Sequence, residues 1–189
     1  MHSLEPYFAW RNQYCSEDDS RSPFFGREYS EFEFSDKIYD HYIHPQWDNI
    51  DSTTLFIKLL YTDYDEGYCI IEMIGEWNDT LYNDIMTFKR NIVDHLIDEG
   101  INKFILIGEN ILNFHSSDDS YYEEWFEDIE DGWIALLNFR DHVLADFADE
   151  NLDQFFISGG KLNELAWRTS QPYQLYHKVE KMVFKRLSI

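Results

Sequence analysis

The chain has 189 residues, 44% of them hydrophobic and 18% aromatic, which is enough for one domain with a substantial core. Its 37 acidic residues against 15 basic ones give a formal charge of −22. This charge disfavours binding to nucleic acid and to anionic membrane surfaces. A basic protein partner, a metal cation or simple solubility remain compatible with it.

The cysteines and the amino terminus indicate a cytoplasmic protein. Cys15 and Cys69 have neither a disulfide-framework nor a metal-site spacing. The first residues lack the basic start and apolar stretch of a signal peptide. No apolar run approaches the roughly 18 residues of a membrane span.

The first 51 residues form an aromatic-rich extension that we expect to pack on a single α/β domain spanning 52–189. Aromatic residues are scattered there among acids and turn-forming residues without a regular period. The alternation of Phe32 and Phe34 predicts one short strand with a single buried face.

Two apolar runs, 55–61 and 68–74, are joined by a short acidic turn and therefore predict an antiparallel hairpin. A long helix is expected next, because apolar residues recur at spacings of three and four. This stripe consists of Leu81, Ile85, Phe88, Ile92 and Leu96. Asp79 or Thr80 is expected to cap the start of the helix, and Gly100 to close its end.

The rest of the chain alternates between strands and helices, which favours parallel pairing through right-handed crossovers. The predicted strands are 103–108, 133–139 and 154–158, and the predicted helices are 120–130, 141–151 and 173–187. The predicted fold class is therefore α/β, with a mixed sheet in which an antiparallel hairpin is followed by parallel βαβαβα units. The parallel part is expected at the centre of the sheet.

A polar cluster follows strand 103–108, at the end of a strand where α/β proteins usually place their sites. The candidate binding or phosphoacceptor residues are Asn113, His115, Ser116, Ser117 and Asp118. The serines would lie just before a helix, where backbone N–H groups favour an anion. The alternative is that Ser117, Asp118 or Asp119 only caps that helix.

No catalytic residue, metal site or cofactor is predicted, and the chain is not expected to be an enzyme. The motifs of the main nucleophilic, metalloprotease and nucleotide-binding classes are absent. His41 and His44 could join His115 and Asp118 around a metal, but Pro45 favours an extended segment there. Trp77 is expected to pack on the helix that follows it.

The order of predicted elements over residues 54–187 resembles the STAS domain of bacterial anti-sigma-factor antagonists. In that family a strand leads into a segment of the form F-x-D-S-[ST]-G. The comparable segment here is Phe114-His115-Ser116-Ser117-Asp118, with His115 and Asp118 where the family has Asp and Gly. The resemblance implies a STAS-like, non-enzymatic interaction module with a switch site at Ser116 or Ser117, phosphorylated by a partner kinase.

Three hypotheses about function follow. The first is a cytoplasmic STAS-like protein that acts by protein–protein interaction, with regulation as a role. The second is an enzyme or small-ligand binder that uses the loop after strand 103–108. The third is an acidic inhibitor or immunity-type protein that covers a basic partner. The sequence predicts no oligomeric state.

Overall fold

A five-stranded mixed sheet, ordered β3-β4-β5-β6-β7, forms the centre of the computed structural model, which describes residues 4–187. The strands are β1 (Lys37–Ile38), β2 (His41–Tyr42), β3 (Asp48–Asn49), β4 (Leu55–Asp63), β5 (Tyr68–Asn78), β6 (Lys103–His115) and β7 (Trp133–Leu137). The helices are α1 (Asp79–Tyr82), α2 (Asp84–Phe88), α3 (Asp94–Asp98), α4 (Ser120–Asp128), α5 (Asp141–Asp149) and α6 (Pro172–Leu187). The predicted mixed α/β class is confirmed.

Strands β4 and β5 pair antiparallel, as the hairpin prediction required, while β5–β6 and β6–β7 pair parallel. The parallel strands therefore lie on one side of the sheet and not at its centre. Two hydrophobic clusters use alternate residues of the same strands: Leu106 belongs to one cluster, and Ile105 and Ile107 belong to the other. Both faces of the parallel strands are covered, which explains their continuous apolar runs.

Strand β6 is longer than predicted, because it continues from the apolar run through to His115. Its pairing with β5 contains two register shifts, one near Met73 and one between Gly75 and Glu76. Bulges of this kind interrupt the side-chain alternation that identifies a strand in a sequence. The polar residues of the cluster as far as His115 therefore lie on a strand, and only the segment from Ser116 onward lies outside it.

The predicted long helix is divided into α1, α2, a π-helical turn at Lys89–Val93, and α3. The predicted stripe is buried except for Leu81, because the left-handed Asn83 separates α1 from the rest of the helix. The structure corrects the predicted N-cap: Asn78, and not Asp79 or Thr80, accepts the Leu81 amide. Gly100, with φ of +97°, follows the last turn as predicted.

Two predicted strands do not form. Phe32 and Phe34 lie outside any strand and Phe32 is 86% exposed, while the nearby chain forms the short β1–β2 hairpin instead. The predicted strand 154–158 is reduced to a single parallel bridge between Ile157 and Ala135. The 3₁₀ turn at Leu152–Gln154 occupies its first residue, so too few extended residues remain for a strand.

The amino-terminal segment contributes Phe24 and Ile50 to the first cluster and Trp10 to the second. The Trp10 ring packs edge-on against Trp167 at a centroid distance of 5.7 Å, so this segment contacts the turn that precedes α6. The division at residue 51 remains a prediction. Among residues 4–187, every helix is too short or too polar to span a membrane.

Candidate functional site

The carboxyl ends of β5 and β6 lie side by side and bring the predicted site into contact with residues that precede it in the chain. Glu76 is opposite Asn113 and Trp77 is opposite Phe114 in the parallel register. Trp77 and Phe114 are buried and pack edge-on. Trp77 also packs edge-on against Phe88 of α2, so the prediction that Trp77 packs on the helix that follows it is confirmed. Because strand side chains alternate, Glu76 and Asn113 face away from these rings.

His115 contacts the carboxylate of Glu76 through its imidazole. Its Nε2 lies 2.7 Å from Oε1 of Glu76, which is buried while the imidazole is half exposed. The Tyr39 hydroxyl donates to the other carboxylate oxygen of Glu76 at 2.5 Å. One buried carboxylate therefore fixes both the imidazole and the phenol at the surface.

Tyr39 reaches Glu76 from the turn of the β1–β2 hairpin, where its φ of 54° is in the left-handed region. Two-residue hairpin turns require positive φ, which non-glycine residues adopt only at a cost. The hydrogen bond to Glu76 raises the pKa of the Tyr39 hydroxyl, and the amide of Asn113 acts weakly in the opposite direction. Asn113 therefore belongs to the same cluster.

Two buried carboxylates fix the start of the helical region behind this cluster. Asp79 accepts from the Ile85 amide, the Trp77 indole and the Tyr122 hydroxyl. Burial raises the pKa of Asp79 to about 6, although these hydrogen bonds act against the shift. Asp84 accepts from Ser52, Thr54 and the Asn78 amide, so the end of β5 is held in place.

The serine segment follows directly after β6. The Thr80 hydroxyl donates to the Ser116 carbonyl at 2.5 Å, which joins the segment to α1. The Asp118 carboxylate accepts the Ser120 amide at 3.1 Å, and hydrogen bonds from Ser120 lower the pKa of Asp118. Asp118 thus satisfies an amide at the start of α4, which is the capping role considered for it. Ser117 is exposed and Ser116 is partly buried.

The four residues considered for a metal site do not converge. Nε2 of His44 contacts Glu5 at 3.2 Å, His115 contacts Glu76, and His41 lies on β2. Within residues 4–187, one group of carboxylates is close enough to hold a metal: Asp94, Glu124 and Asp128. The Nζ atom of Lys89 already lies among them, 2.7 Å from Asp128 and 3.6 Å from Glu124.

Two shallow clefts flank the cluster. One, of about 290 Å³, is lined by Thr80, Phe114, His115, Ser116, Asp146, Asp149 and Glu150. The other, of about 380 Å³, is lined by Lys37, Ile38, Tyr39, Thr53, Thr54, Glu76, Asn78, Leu81 and Tyr82. Leu81 is 73% exposed and Tyr82 is 49% exposed. The acidic cleft thus lies on one side of His115, and the exposed side chains of Leu81 and Tyr82 lie on the other.

Sequence reasoning found Asn113 and His115 but missed Glu76 and Tyr39. A signal for Glu76 was present, since Glu76 and Asn78 alternate with Trp77 and could have extended strand 68–74. Tyr39 had no such signal, because its contact depends on a hairpin turn without glycine.

No family model matches the chain, and no curated protein matches it. Among solved structures, the chain is similar to the anti-sigma factor antagonist SpoIIAA in its unphosphorylated form. The identity is 12%, the TM-score is 0.45, and the match covers 66% of this chain and 96% of that chain. The Bacillus cell fate determinant SpoIIAA in the phosphorylated form matches with a TM-score of 0.38 and 12% identity, over 55% of this chain and 91% of that chain. The first of these structures is an anti-sigma factor antagonist. This is the class of protein whose STAS domain the predicted order of elements resembles.

Proposed function

We propose that this chain is a regulatory protein that acts in the cytoplasm by binding a protein partner through the surface around His115. We call this surface the His115 face and define it by Tyr39, Leu81, Tyr82, the segment 115–118, and the acids Asp146, Asp149 and Glu150. The observation that carries the proposal is the exposure of Leu81 and Tyr82 beside these polar and acidic groups. Contiguous exposed apolar residues with a polar rim are typical of protein interaction sites.

The charge of the face favours a basic partner. Residues 116–153 carry 13 acids and one basic residue, Arg140. Three of these acids line the cleft beside His115. Charge complementarity accelerates encounter and selects partners, so a surface rich in Lys and Arg would be the preferred counterpart.

The local geometry favours contact over nucleophilic catalysis. Nε2 of His115 is engaged by Glu76, and the described hydrogen bonds of Ser116 and Ser117 do not include the imidazole. A base and a nucleophile would need to be within hydrogen-bond reach of each other. The cluster is instead a surface element in which His115, Tyr39 and Asp118 already have partners.

Photo-crosslinking in living cells tests the proposal. The photoreactive residue p-benzoylphenylalanine is placed at Tyr82, and as a matched control at Tyr173, a tyrosine on α6 that is 58% exposed. We expect a discrete crosslinked protein from position 82, absent from position 173, and weakened by the additional change Leu81→Asp. Equal crosslinking from both positions, or none from position 82, would contradict the proposal.

Ser116 and Ser117 remain the candidate phosphoacceptors within this face. Ser117 is the better placed, since it is exposed. A phosphate there would add negative charge to a face whose proposed partner is basic, and so would strengthen binding of that partner. Intact-mass measurement of the chain purified from its own cells should show an added phosphate that Ser117→Ala removes and Ser120→Ala leaves. An unmodified mass would contradict this role.

A further inference from the structure

A separate pocket of about 310 Å³ lies between the β1–β2 hairpin and the outer parts of β5 and β6. It is lined by Leu4, Ile38, His41, Tyr42, Ile43, Ile74, Gly75, Asn110, Leu112 and Arg140. Most of these side chains are apolar, and its volume is at the lower end of the range for small-molecule sites. The pocket therefore suits a compact ligand with an apolar body.

No carboxylate lines this pocket, although the chain contains 37 acidic residues. The cleft beside His115, by contrast, is lined by three acids. The polar side chains of the pocket offer hydrogen-bond donors, chiefly the guanidinium of Arg140 and the amide of Asn110. An anionic group is accepted more readily here than in that acidic cleft.

Arg140 is the arginine that lacks a partner. The other six arginines each donate to an acceptor: Arg11 to Glu17, Arg21 to Glu99, Arg27 to the Asn49 carbonyl, Arg90 to Glu124, Arg168 to Glu72, and Arg186 to the Ser158 carbonyl. Within residues 4–187, the guanidinium of Arg140 has no acceptor. Its five donors are therefore available for a bidentate contact with a ligand.

Asn110 is a second unpaired donor. Its Nδ2 atom is shielded from solvent and has no hydrogen-bond partner among the described residues. A buried amide without a partner is costly, so an acceptor supplied by a ligand would stabilise this part of β6. Asn110 is paired with Ile74 in the register, just after the first bulge of β6. This irregular part of the sheet is where a strand can turn a side chain toward a site.

The location agrees with a ligand site. Strand β7 ends at Leu137, opposite Ile107, so beyond this point β6 is paired with β5 on one side and with no named strand on the other. Arg140 lies in the connection that leaves β7 for α5, and His142 contacts the Leu112 carbonyl at 2.7 Å. The pocket is thus at the carboxyl ends of parallel strands, where ligands of α/β proteins are usually bound.

We propose that this pocket binds a small monocarboxylate with a compact apolar body. The carboxylate would pair with Arg140 at the rim, and the apolar body would lie against Ile38, Ile43 and Ile74. A single negative charge fits better than a phosphate dianion, because the net charge of −22 repels a second one. The pocket shares no lining residue with the His115 face as defined above, although Ile38 lines both the pocket and the cleft beside that face.

Two monocarboxylates, hexanoate and 3-phenylpropanoate, are suitable probes for the full-length chain. Each is titrated to about 10 mM in ¹H–¹⁵N correlation spectra, ten-fold above a weak Kd of about 1 mM. The neutral control is 3-phenylpropan-1-ol, which has the same apolar body without the charge. The variant Arg140→Gln removes the charged contact, and Lys178→Gln is the matched control on α6, since it removes one charge outside the pocket.

We expect saturable shifts for amides near Gly75, Leu112 and Arg140 with at least one of the two carboxylates. Affinity should fall at least ten-fold for the alcohol and for Arg140→Gln, and should be unchanged for Lys178→Gln. The proposal is overturned if neither carboxylate binds, if the shifts cluster elsewhere, or if the acid and the alcohol bind equally. Because Arg140 is exposed, Arg140→Gln should fold normally, and its spectrum checks this directly.

Discussion

Glu72 is a buried acid in contact with the amino-terminal segment. Its carboxylate accepts the Tyr7 amide at 2.7 Å and receives Arg168 at 3.4 Å. Burial raises the pKa of Glu72 from 4.5 to about 7, despite these contacts. The folded chain therefore binds more protons at Glu72 than the unfolded chain between these two values. The stabilising effect of protonation is complete below pH 4.5 and is lost as the pH rises through about 7.

Glu72→Gln should remove this pH dependence. We compare the free energy of unfolding of the variant with that of the wild type at each pH. As the pH rises from acidic to neutral, we expect this difference to change by on the order of 2 kcal/mol in favour of the variant. Urea unfolding of both proteins at pH 4.5 and pH 8 measures the difference. Titrating groups that do not interact with Glu72 cancel in this comparison. A difference between the two proteins that does not change with pH would show that Glu72 is not the titrating group.

Lys89 is a fully buried lysine whose ammonium lies among Asp94, Glu124 and Asp128. Removing it leaves three carboxylates without their shared cation, and because these carboxylates are 31–44% exposed, water compensates part of the loss. We expect Lys89→Met to lower the free energy of unfolding by about 2 kcal/mol, as chemical denaturation would measure.

Arg90 provides the matched control for Lys89. It contacts Asp94 and Glu124, but its side chain is 46% exposed. Exposed ion pairs contribute about 1 kcal/mol or less, so Arg90→Met should have a small effect. If Lys89→Met and Arg90→Met lower the free energy of unfolding equally, burial does not determine how much Lys89 contributes to stability.

At the scale of elements, the Phe139 ring packs directly against the backbone of β6 at Gly108, where the residue has no Cβ. A Cβ at this position would lie 2.3 Å from the Phe139 ring. We expect Gly108→Ala to destabilise the fold by about 1–3 kcal/mol, the usual range for overpacking a core. Thermal unfolding of the single variant measures this loss.

The smaller side chain in Phe139→Leu should reduce the cost of Gly108→Ala. In a double-mutant cycle, the double variant is therefore expected to be more stable than the sum of the two single changes predicts. Strict additivity would be evidence against the contact between Gly108 and Phe139 as the cause.

Periodicity in the sequence predicted the elements that packing also requires. The stripe from Ile85 to Leu96 and the apolar runs of the hairpin were identified because one period repeats over many residues. The extension of β6 beyond Gly108 was missed because bulges break that period. The prediction of a strand at 154–158 was wrong, because an apolar run of this length is equally compatible with a turn packed on the core.

The site was predicted in part for a similar reason. His115 and Asn113 follow an apolar run and could be identified from the local sequence. Glu76 and Tyr39 reach them through strand pairing and a hairpin turn, which are contacts between distant parts of the chain. A local pattern contains no information about such contacts.

At the scale of the whole molecule, the net charge of −22 affects folding and partner binding in opposite directions. Screening of self-repulsion should stabilise the folded chain as salt rises from about 0.01 M to about 0.15 M. The same screening should weaken binding of a basic partner at the His115 face. Calorimetric unfolding and binding titrations over one salt series measure both. Two trends of the same sign would contradict a charge-driven interface.

The central claim is that the His115 face is a protein interface, and the affinity of the partner crosslinked at position 82 tests it most directly. Calorimetric titration of that purified partner compares the wild-type chain with Tyr82→Asp and with the control Tyr173→Asp. We predict at least ten-fold weaker binding for Tyr82→Asp, which is about 1.4 kcal/mol, and unchanged binding for the control. Equal affinities for all three proteins would contradict the claim.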